Sequence, residues 1–309
     1  MLNNFSQFIG QDLFKSRVSL SIEAAKLKNK ALPHLLISGS SGIGKTTFAE
    51  LVAKSIGGDY QILHGPNLQK PSDIIGVLTK LKLRSILFID EIHAISKEVE
   101  ETLYPVLSEN KLNMVIGKEY NTKNIIIDLP SFTLIGATTL LYKLSTPLLN
   151  RFVSVFHFQD YEFKDMLKII AQLFELKNIA IDNETLKYLV PYTRFNPRVA
   201  NNLVVQLEDY CLVYNLKQLN LNSAQQILKF LNIFPDGLMV VEYQYLKYIF
   251  QNSKDYVLGL NTITNYLNEP VNNILEIIEP YLLRSNYLIK TSKGRKLTSK
   301  AIKLLKNPI

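Results

Sequence analysis

A single cysteine, Cys211, stands among 309 residues, which excludes an internal disulfide framework and any zinc site built from several thiolates. No stretch approaches the ~20 consecutive apolar residues that a membrane-spanning helix requires. Residues 1–11 (MLNNFSQFIGQ) hold neither a basic segment nor an apolar run, so no secretory signal is visible, and the expectation is a cytoplasmic protein with no membrane partner. His34, His64, His93 and His157 do not fall in metal-ligand spacing and read as structural residues or as partners of site residues. Internal repeats and low-complexity linkers are also lacking. What is present is an ordinary balance of 47% apolar and 20% charged residues, enough to bury normal cores. At ~150 residues per domain, the length suggests two domains or three small ones. The formal charge of +8 comes from 35 basic and 27 acidic side chains. It is not spread evenly. Residues 286–309 carry Lys290, Lys293, Arg295, Lys296, Lys300, Lys303 and Lys306 with no acid, leaving 28 basic against 27 acidic side chains for the rest. An anionic partner is therefore expected at that end.

The pattern along the chain is an alternation of apolar runs and amphipathic stretches. Leu13, Val18, Leu20, Ile22 and Ala25 recur at helical spacing. A short buried strand follows over His34–Ser38, bounded by Pro33 and Gly39, then a helix from Thr46 to Ile56 stopped by Gly57-Gly58. Strands are expected over 60–63, 85–89 and 132–137, with helices after Pro71 and over about 97–107. Near-continuous apolar strands separated by helices indicate a parallel α/β sheet covered on both faces. Residues 112–128 hold two β-branched runs around a polar centre and read as an inserted β-hairpin. After Phe158 strand signals disappear, and helices are expected at 161–176, 183–192, 197–214 and 222–231. Beyond Pro235-Asp236-Gly237 come three short helices and a terminal hairpin turning at Ser292-Lys293-Gly294. Domains are thus expected at 1–158, 159–234 and 235–309.

Between the first strand and its helix lies Gly39-Ser40-Ser41-Gly42-Ile43-Gly44-Lys45-Thr46-Thr47, which fits GxxxxGK[ST]. Glycines let backbone N–H groups converge on phosphates, and the helix N-terminus adds its positive end. Gly42, Gly44, Lys45, Thr46 and Thr47 are therefore candidate ATP-binding residues, with Lys45 reaching the β/γ-phosphates and the Thr46 hydroxyl placed for Mg²⁺. Ile86 to Ile89 form a strand that delivers Asp90 and Glu91 at its C-terminal end, where ligands of such sheets bind. Asp90 is a candidate for Mg²⁺ and Glu91 for polarising the attacking water. Thr138 and Thr139 end the next strand at the same edge. Arg151 follows twelve residues later, and Arg198 stands after Asn196-Pro197 at a helix start.

This arrangement resembles the AAA+ ATPases and, within them, the RuvB family of Holliday-junction branch-migration motors. The resemblance rests on Phe8-Ile9-Gly10-Gln11, Gly44 to Thr47, Leu87 to His93 (LFIDEIH), Glu100 to Pro105 (EETLYP), Leu134 to Thr139 (LIGATT), Pro197 to Asn201 and Glu279-Pro280-Tyr281-Leu282. It implies an α/β P-loop AAA+ core with a parallel sheet, a small helical lid and a C-terminal winged helix. It also implies a DNA-dependent ATP hydrolase working as a homohexameric ring on branched duplex DNA. By the same resemblance, Arg151 matches a finger acting on the neighbouring subunit's nucleotide, while Thr139 and Arg198 match the two sensors. Ile9 and Tyr161 match adenosine contacts, and Lys290, Lys293 and Arg295 fall on the DNA-binding wing. The 112–128 hairpin matches the element that docks the junction-binding partner RuvA. Ser40-Ser41 departs from the family's usual Pro-Pro. A clamp loader would carry a Ser-Arg-Cys finger and often a zinc module, whereas Arg151 lies in Asn-Arg-Phe and the chain has one cysteine. A nucleotide-gated winged-helix module without motor activity would have no need of both Glu91 and Arg151.

Overall fold

Three apolar runs too hydrophobic to leave in water form the middle of a five-stranded parallel sheet. They are β1 (Leu35–Ser38), β3 (Ile86–Asp90) and β6 (Thr133–Thr138). The flanking strands are β2 (Tyr60–His64) and β7 (Ser154–His157), and the order is β2-β3-β6-β1-β7. Register aligns Phe88 with Ile135 and Ile37 with Ala137. The C-terminal ends of β1, β3 and β6 therefore come out side by side. The coordinates are a computed structural model, which describes residues 4–116 and 123–306. The expected hairpin tip at 117–122 and the last three residues of the basic tail lie outside the described residues.

The chain divides into two compact units, one of Met1–Ile169 with Phe195–Val199 and the other of Ile170–Arg194 with Ala200–Ile309. In the first, helices α1 (Asp12–Lys28), α2 (Lys45–Ile56), α3 (Pro71–Leu78) and α4 (Lys97–Glu109) accompany the strands. Leu36, Leu87 and Leu134 of the sheet pack with Val99, Leu103 and Val106 of α4 and with Phe152. The α4 start is fixed by Ser96, whose hydroxyl accepts from Val99 N, as an N-cap should. The hairpin expected over 112–128 forms from β4 (Lys111–Ile116) and β5 (Lys123–Asp128). A single helical turn, α5 (Thr146–Leu149), precedes Arg151.

Two sequence expectations for this unit need correction. Leu13 and Leu20, expected on the buried face of α1, are both 69% exposed, while Val18, Ile22 and Ala25 are buried. At 3.6 residues per turn, Leu13 lies ~140° around the helix from Val18, so one face cannot hold both. The edge strand β7 has no counterpart among the expected strands. Only Phe156 of its four residues is buried, so it lacks the continuous apolar run that marks the central strands.

The second unit takes in the C-terminal half of α6 (Phe163–Leu176) and most of α8 (Pro197–Val213), with α7 (Asn183–Leu189) and α9 (Leu221–Phe230). Cys211 is buried on α8 as a plain core residue. Two short strands, β8 (Ala180–Ile181) and β9 (Gln218–Leu219), pair in parallel where none was expected. The C-terminal part builds its own core from Leu246, Ile249, Ile263, Ile274, Leu282 and Leu297. Its elements are α10 (Val240–Asn252), β10 (Val257–Leu258), α11 (Leu260–Leu267) and α12 (Val271–Asn273), then α13 (Glu279–Arg284), β11 (Leu288–Thr291), β12 (Gly294–Leu297) and α14 (Ser299–Lys306). A π-turn over Ile274–Ile278 precedes α13, where Pro280 supplies no N–H to continue a regular ladder. β10 adds to the expected hairpin as a third antiparallel strand. Among the described residues, no helix is long and apolar enough to cross a membrane.

Candidate functional site

The loop between β1 and α2 turns through Gly39, Gly42 and Gly44, all at positive φ. At Gly42 the space is also closed to a side chain. A Cβ there would meet Asn196 Oδ1 at 2.6 Å and Arg198 Cβ at 2.8 Å. Lys45 opens α2 and is buried at 6% exposure, its Nζ donating to the Gly39 carbonyl at 2.8 Å and the Ser40 carbonyl at 3.0 Å. Burial lowers its pKa below the usual lysine value, against the pull of Glu91 and Asp90, with Arg198 adding to the lowering. Those four charged groups therefore share one site. Thr46 and Thr47 follow in the first helical turn, with Thr46 exposed.

At the end of β3, Asp90 Oδ1 accepts from Glu91 N at 3.0 Å. Glu91 itself sits in the left-handed region (φ 47°, ψ 47°), a strained conformation for a residue with a side chain. Its Oε2 accepts from the Thr139 hydroxyl at 3.0 Å and from Thr139 N at 3.3 Å, with His93 Nδ1 at 3.2 Å. His93 in turn lies 3.0 Å from the Thr138 hydroxyl. Gly65, after β2, closes the back of this turn, since a Cβ there would stand 2.2 Å from the Glu91 carbonyl oxygen. Sequence reasoning did not single out Gly65. Its signal is a contact across the sheet edge that no local pattern reveals.

Arg198 reaches the loop through Nη1, which donates to Ser41 Oγ at 3.0 Å, and Asn196 Nδ2 donates to the Ser41 carbonyl at 2.8 Å. The hydroxyl at Ser41, a departure from the family pattern, is what accepts the guanidinium. Tyr161 is buried and donates to the Ile43 carbonyl at 3.2 Å, and burial raises its pKa far above the usual phenol range. Gly10 leaves the room for that ring, since a Cβ would stand 2.8 Å from Tyr161 Cε1. Ile9 is half-buried beside it in sequence. Arg151 is elsewhere. Its contacts are with Tyr104 and Pro147, at a groove of about 640 Å³ that Glu98, Glu101 and Glu109 help to line.

No cluster of three or more metal-ligating side chains occurs among the described residues. The set that could hold a divalent cation is the Thr46 hydroxyl with the Asp90 carboxylate. One carboxylate and one hydroxyl suit Mg²⁺, which is usually bound through few protein groups together with substrate phosphates.

In the C-terminal part, the basic tail is more committed than its charge suggests. Glu279 is fully buried and receives Arg295 Nε at 2.8 Å, Lys290 Nζ at 3.1 Å and the Tyr245 hydroxyl at 2.8 Å. Arg295 is only 17% exposed. Lys300 pairs with Asp236 and stacks over Tyr287. Lys293, Lys296, Lys303 and Lys306 are exposed and make no ion pair among the described residues.

A glycine loop between a parallel strand and a helix, with two carboxylates and a threonine presented by neighbouring strands, defines a P-loop ATPase of the AAA+ class. It carries a C-terminal winged helix. The chain belongs to the RuvB family. Residues 2–158 match the RuvB Holliday junction DNA helicase P-loop domain, and residues 235–306 match the RuvB C-terminal winged helix domain. The Holliday junction branch migration complex subunit RuvB of Phytoplasma mali is 38% identical over 301 residues, covering 97% of this chain and 91% of that protein. Its namesake from Mesomycoplasma hyopneumoniae is 35% identical over 298 residues, covering 96% and 94%. Among solved structures, the Thermotoga maritima RuvB Holliday junction branch migration motor superposes with a TM-score of 0.80. It is 33% identical and is covered over 98% of its length by the whole of this chain.

Proposed function

We propose that this chain is an ATP-driven motor that promotes branch migration of Holliday junctions in recombination and repair, built as domains 1–158, 159–234 and 235–309. The observation that carries the reading is the cluster of Lys45, Asp90, Glu91 and Thr139 at one sheet edge, in a chain similar to RuvB proteins over nearly its whole length.

The chemistry is hydrolysis of ATP. Backbone N–H groups of the loop 39–47 and the α2 N-terminus receive the phosphates, and the Lys45 ammonium exchanges its loop carbonyls for β/γ-oxygens. Ile9 and Tyr161 flank the adenosine. Glu91 accepts a proton from water as the water oxygen attacks the γ-phosphorus in line, and the bond to the bridging oxygen breaks to release ADP. Thr139 orients the Glu91 carboxylate. Mg²⁺, held by Thr46 and Asp90, would neutralise charge on the phosphate oxygens. Arg151 serves the site of the next subunit in a homohexameric ring, an arrangement worth ~10³–10⁵ in rate where such an arginine acts in trans. Arg198 follows nucleotide state through its hold on the loop.

Lys290 and Lys293 meet DNA phosphates without reading sequence, while Arg295, tied to Glu279, braces the wing. RuvA docks on the hairpin 112–128, where Ile125 and Ile126 face solvent. The deciding experiment is migration of a synthetic four-way junction with RuvA and ATP. Unmodified protein should migrate the junction, and Glu91→Gln should bind ATP without hydrolysing it. Absence of hydrolysis by the unmodified protein on DNA with RuvA defeats the motor reading. Undiminished RuvA capture by Ile126→Asp removes the hairpin from it.

A further inference from the structure

Arg151 lies with its guanidinium carbon 4.4 Å from the centroid of the Tyr104 ring. Its Nε donates to the Tyr104 carbonyl at 3.2 Å and its Nη1 to the Pro147 carbonyl at 2.5 Å. α5 is one turn long, and Arg151 N goes to Leu148 rather than to Pro147, so the Pro147 carbonyl is free to take the side chain. Two of the three guanidinium nitrogens are thereby spent on main chain, and the plane is set against an aromatic face. Nη2 meets no acceptor among the described residues. The Tyr104 ring is itself anchored. Its hydroxyl donates to Glu100 Oε1 at 2.7 Å and lies 3.3 Å from Ser145 Oγ, and Ser145 also donates to Glu100.

We infer that Tyr104 is the positioning residue of the finger, its ring face holding Arg151 so that Nη2 alone is presented to the γ-phosphate bound by the neighbouring subunit. This rests on the reading of Arg151 as a trans-acting finger. An arginine on a free side chain loses rotamer entropy whenever it orders. One stacked and doubly tied has lost it already in folding, and the ring quadrupole attracts the cation set over it. Small errors in placing such a group cost up to ~10²-fold in rate.

The test measures steady-state ATP hydrolysis by the full chain on DNA with RuvA. Tyr104→Leu should lower kcat by ~10–10²-fold and leave KM for ATP and ring assembly unchanged. Tyr104→Phe, which keeps the face and drops the hydroxyl, should stay within about fivefold of the unmodified protein, since the ring face and not the hydroxyl meets Arg151, and the hydroxyl goes to Glu100 instead. Because the finger acts on the next subunit, Tyr104→Leu mixed with Lys45→Ala should recover activity. The first protein keeps an intact nucleotide site and the second an intact finger. If Tyr104→Leu melts below the assay temperature, Tyr104→Met is read in its place. Unchanged kcat in that variant, an equal loss in Tyr104→Phe, or no recovery on mixing each overturns the inference. Arg151→Ala separates the two levels. If it hydrolyses ATP normally, the finger reading fails; if it is inactive while Tyr104→Leu is normal, only the positioning role fails.

Discussion

The carboxylate of Glu91 accepts a hydrogen bond from the Thr139 hydroxyl at 3.0 Å, across 48 residues of chain and the gap between two strands. Glu91 stands on a left-handed turn after β3, and Thr139 follows the end of β6. The strands are neighbours in the sheet, so their ends deliver a carboxylate and its hydroxyl partner to one place.

Thr139→Val keeps the shape and removes the donor. A hydrogen bond to a charged group contributes ~1.5–3 kcal/mol, so kcat for ATP should fall by ~10–10²-fold. ATP affinity, measured by titration, should stay within about twofold, because Thr139 bonds to Glu91 rather than to the loop. Equal kcat in the two proteins would show that Glu91 needs no such partner.

Gly65→Ala places a methyl against the Glu91 carbonyl, where only 2.2 Å is available. Both groups are backbone, so no rotamer change relieves the clash. Overpacking of this kind costs ~1–3 kcal/mol, and the turn carrying Glu91 must shift. The expected result is a lower melting temperature together with loss of hydrolysis. Full activity in Gly65→Ala would mean that the turn adapts freely.

On the wing, free and committed cations should separate. Lys293 and Lys296 are exposed, and replacing both with Ala should reduce the slope of log K against log salt by ~2, about 0.9 per phosphate contact. Arg295→Ala should act on stability instead. It leaves the buried Glu279 short of its best partner, a change that costs ~3–5 kcal/mol for a buried pair. Burial alone would raise the Glu279 pKa, but hydrogen bonds from Arg295, Tyr245 and Lys290 outweigh it and hold the pKa below the usual glutamate value. Its contribution is therefore present above the ordinary carboxylate pKa and is lost as pH falls through the depressed one. The melting difference between unmodified protein and Arg295→Ala should narrow in acid. A salt slope unmoved by Lys293 and Lys296 would place the DNA contact elsewhere.

His34 offers a second pH test. Its Nδ1 accepts from Leu134 N at 2.9 Å and its Nε2 lies 3.2 Å from the Leu107 carbonyl, which fixes the neutral ring with the proton on Nε2. Burial lowers its pKa to about 4, so the unfolded chain binds this proton more readily. Stability from this residue is complete above the ordinary histidine pKa of about 6.5 and drains away as pH falls toward about 4. His34→Gln, which does not titrate, should show a flatter melting profile in that window. Parallel profiles would contradict the buried neutral ring.

Much of the fold was legible because its signals are local. Apolar runs as short as Ile86–Ile89 can satisfy themselves only as buried strands, and Gly44-Lys45-Thr46 joins one such run to a helix start. The inserted hairpin was legible from its two β-branched runs. The edge strand Ser154–His157 was not, because one face of it is wet and its pattern is that of a loop.

The parallel core, the phosphate loop, the paired carboxylates and the location of excess charge are each set within a few residues of chain and can be read there. Which of those groups are free to act depends on contacts that form when the chain folds. Glu279 takes up Arg295, Gly65 holds the turn of Glu91, and Tyr104 carries Arg151 on its face. Each is a contact between residues far apart in sequence or on separate elements. Burial and mutual geometry decide such contacts, and neither is written in spacing along the chain.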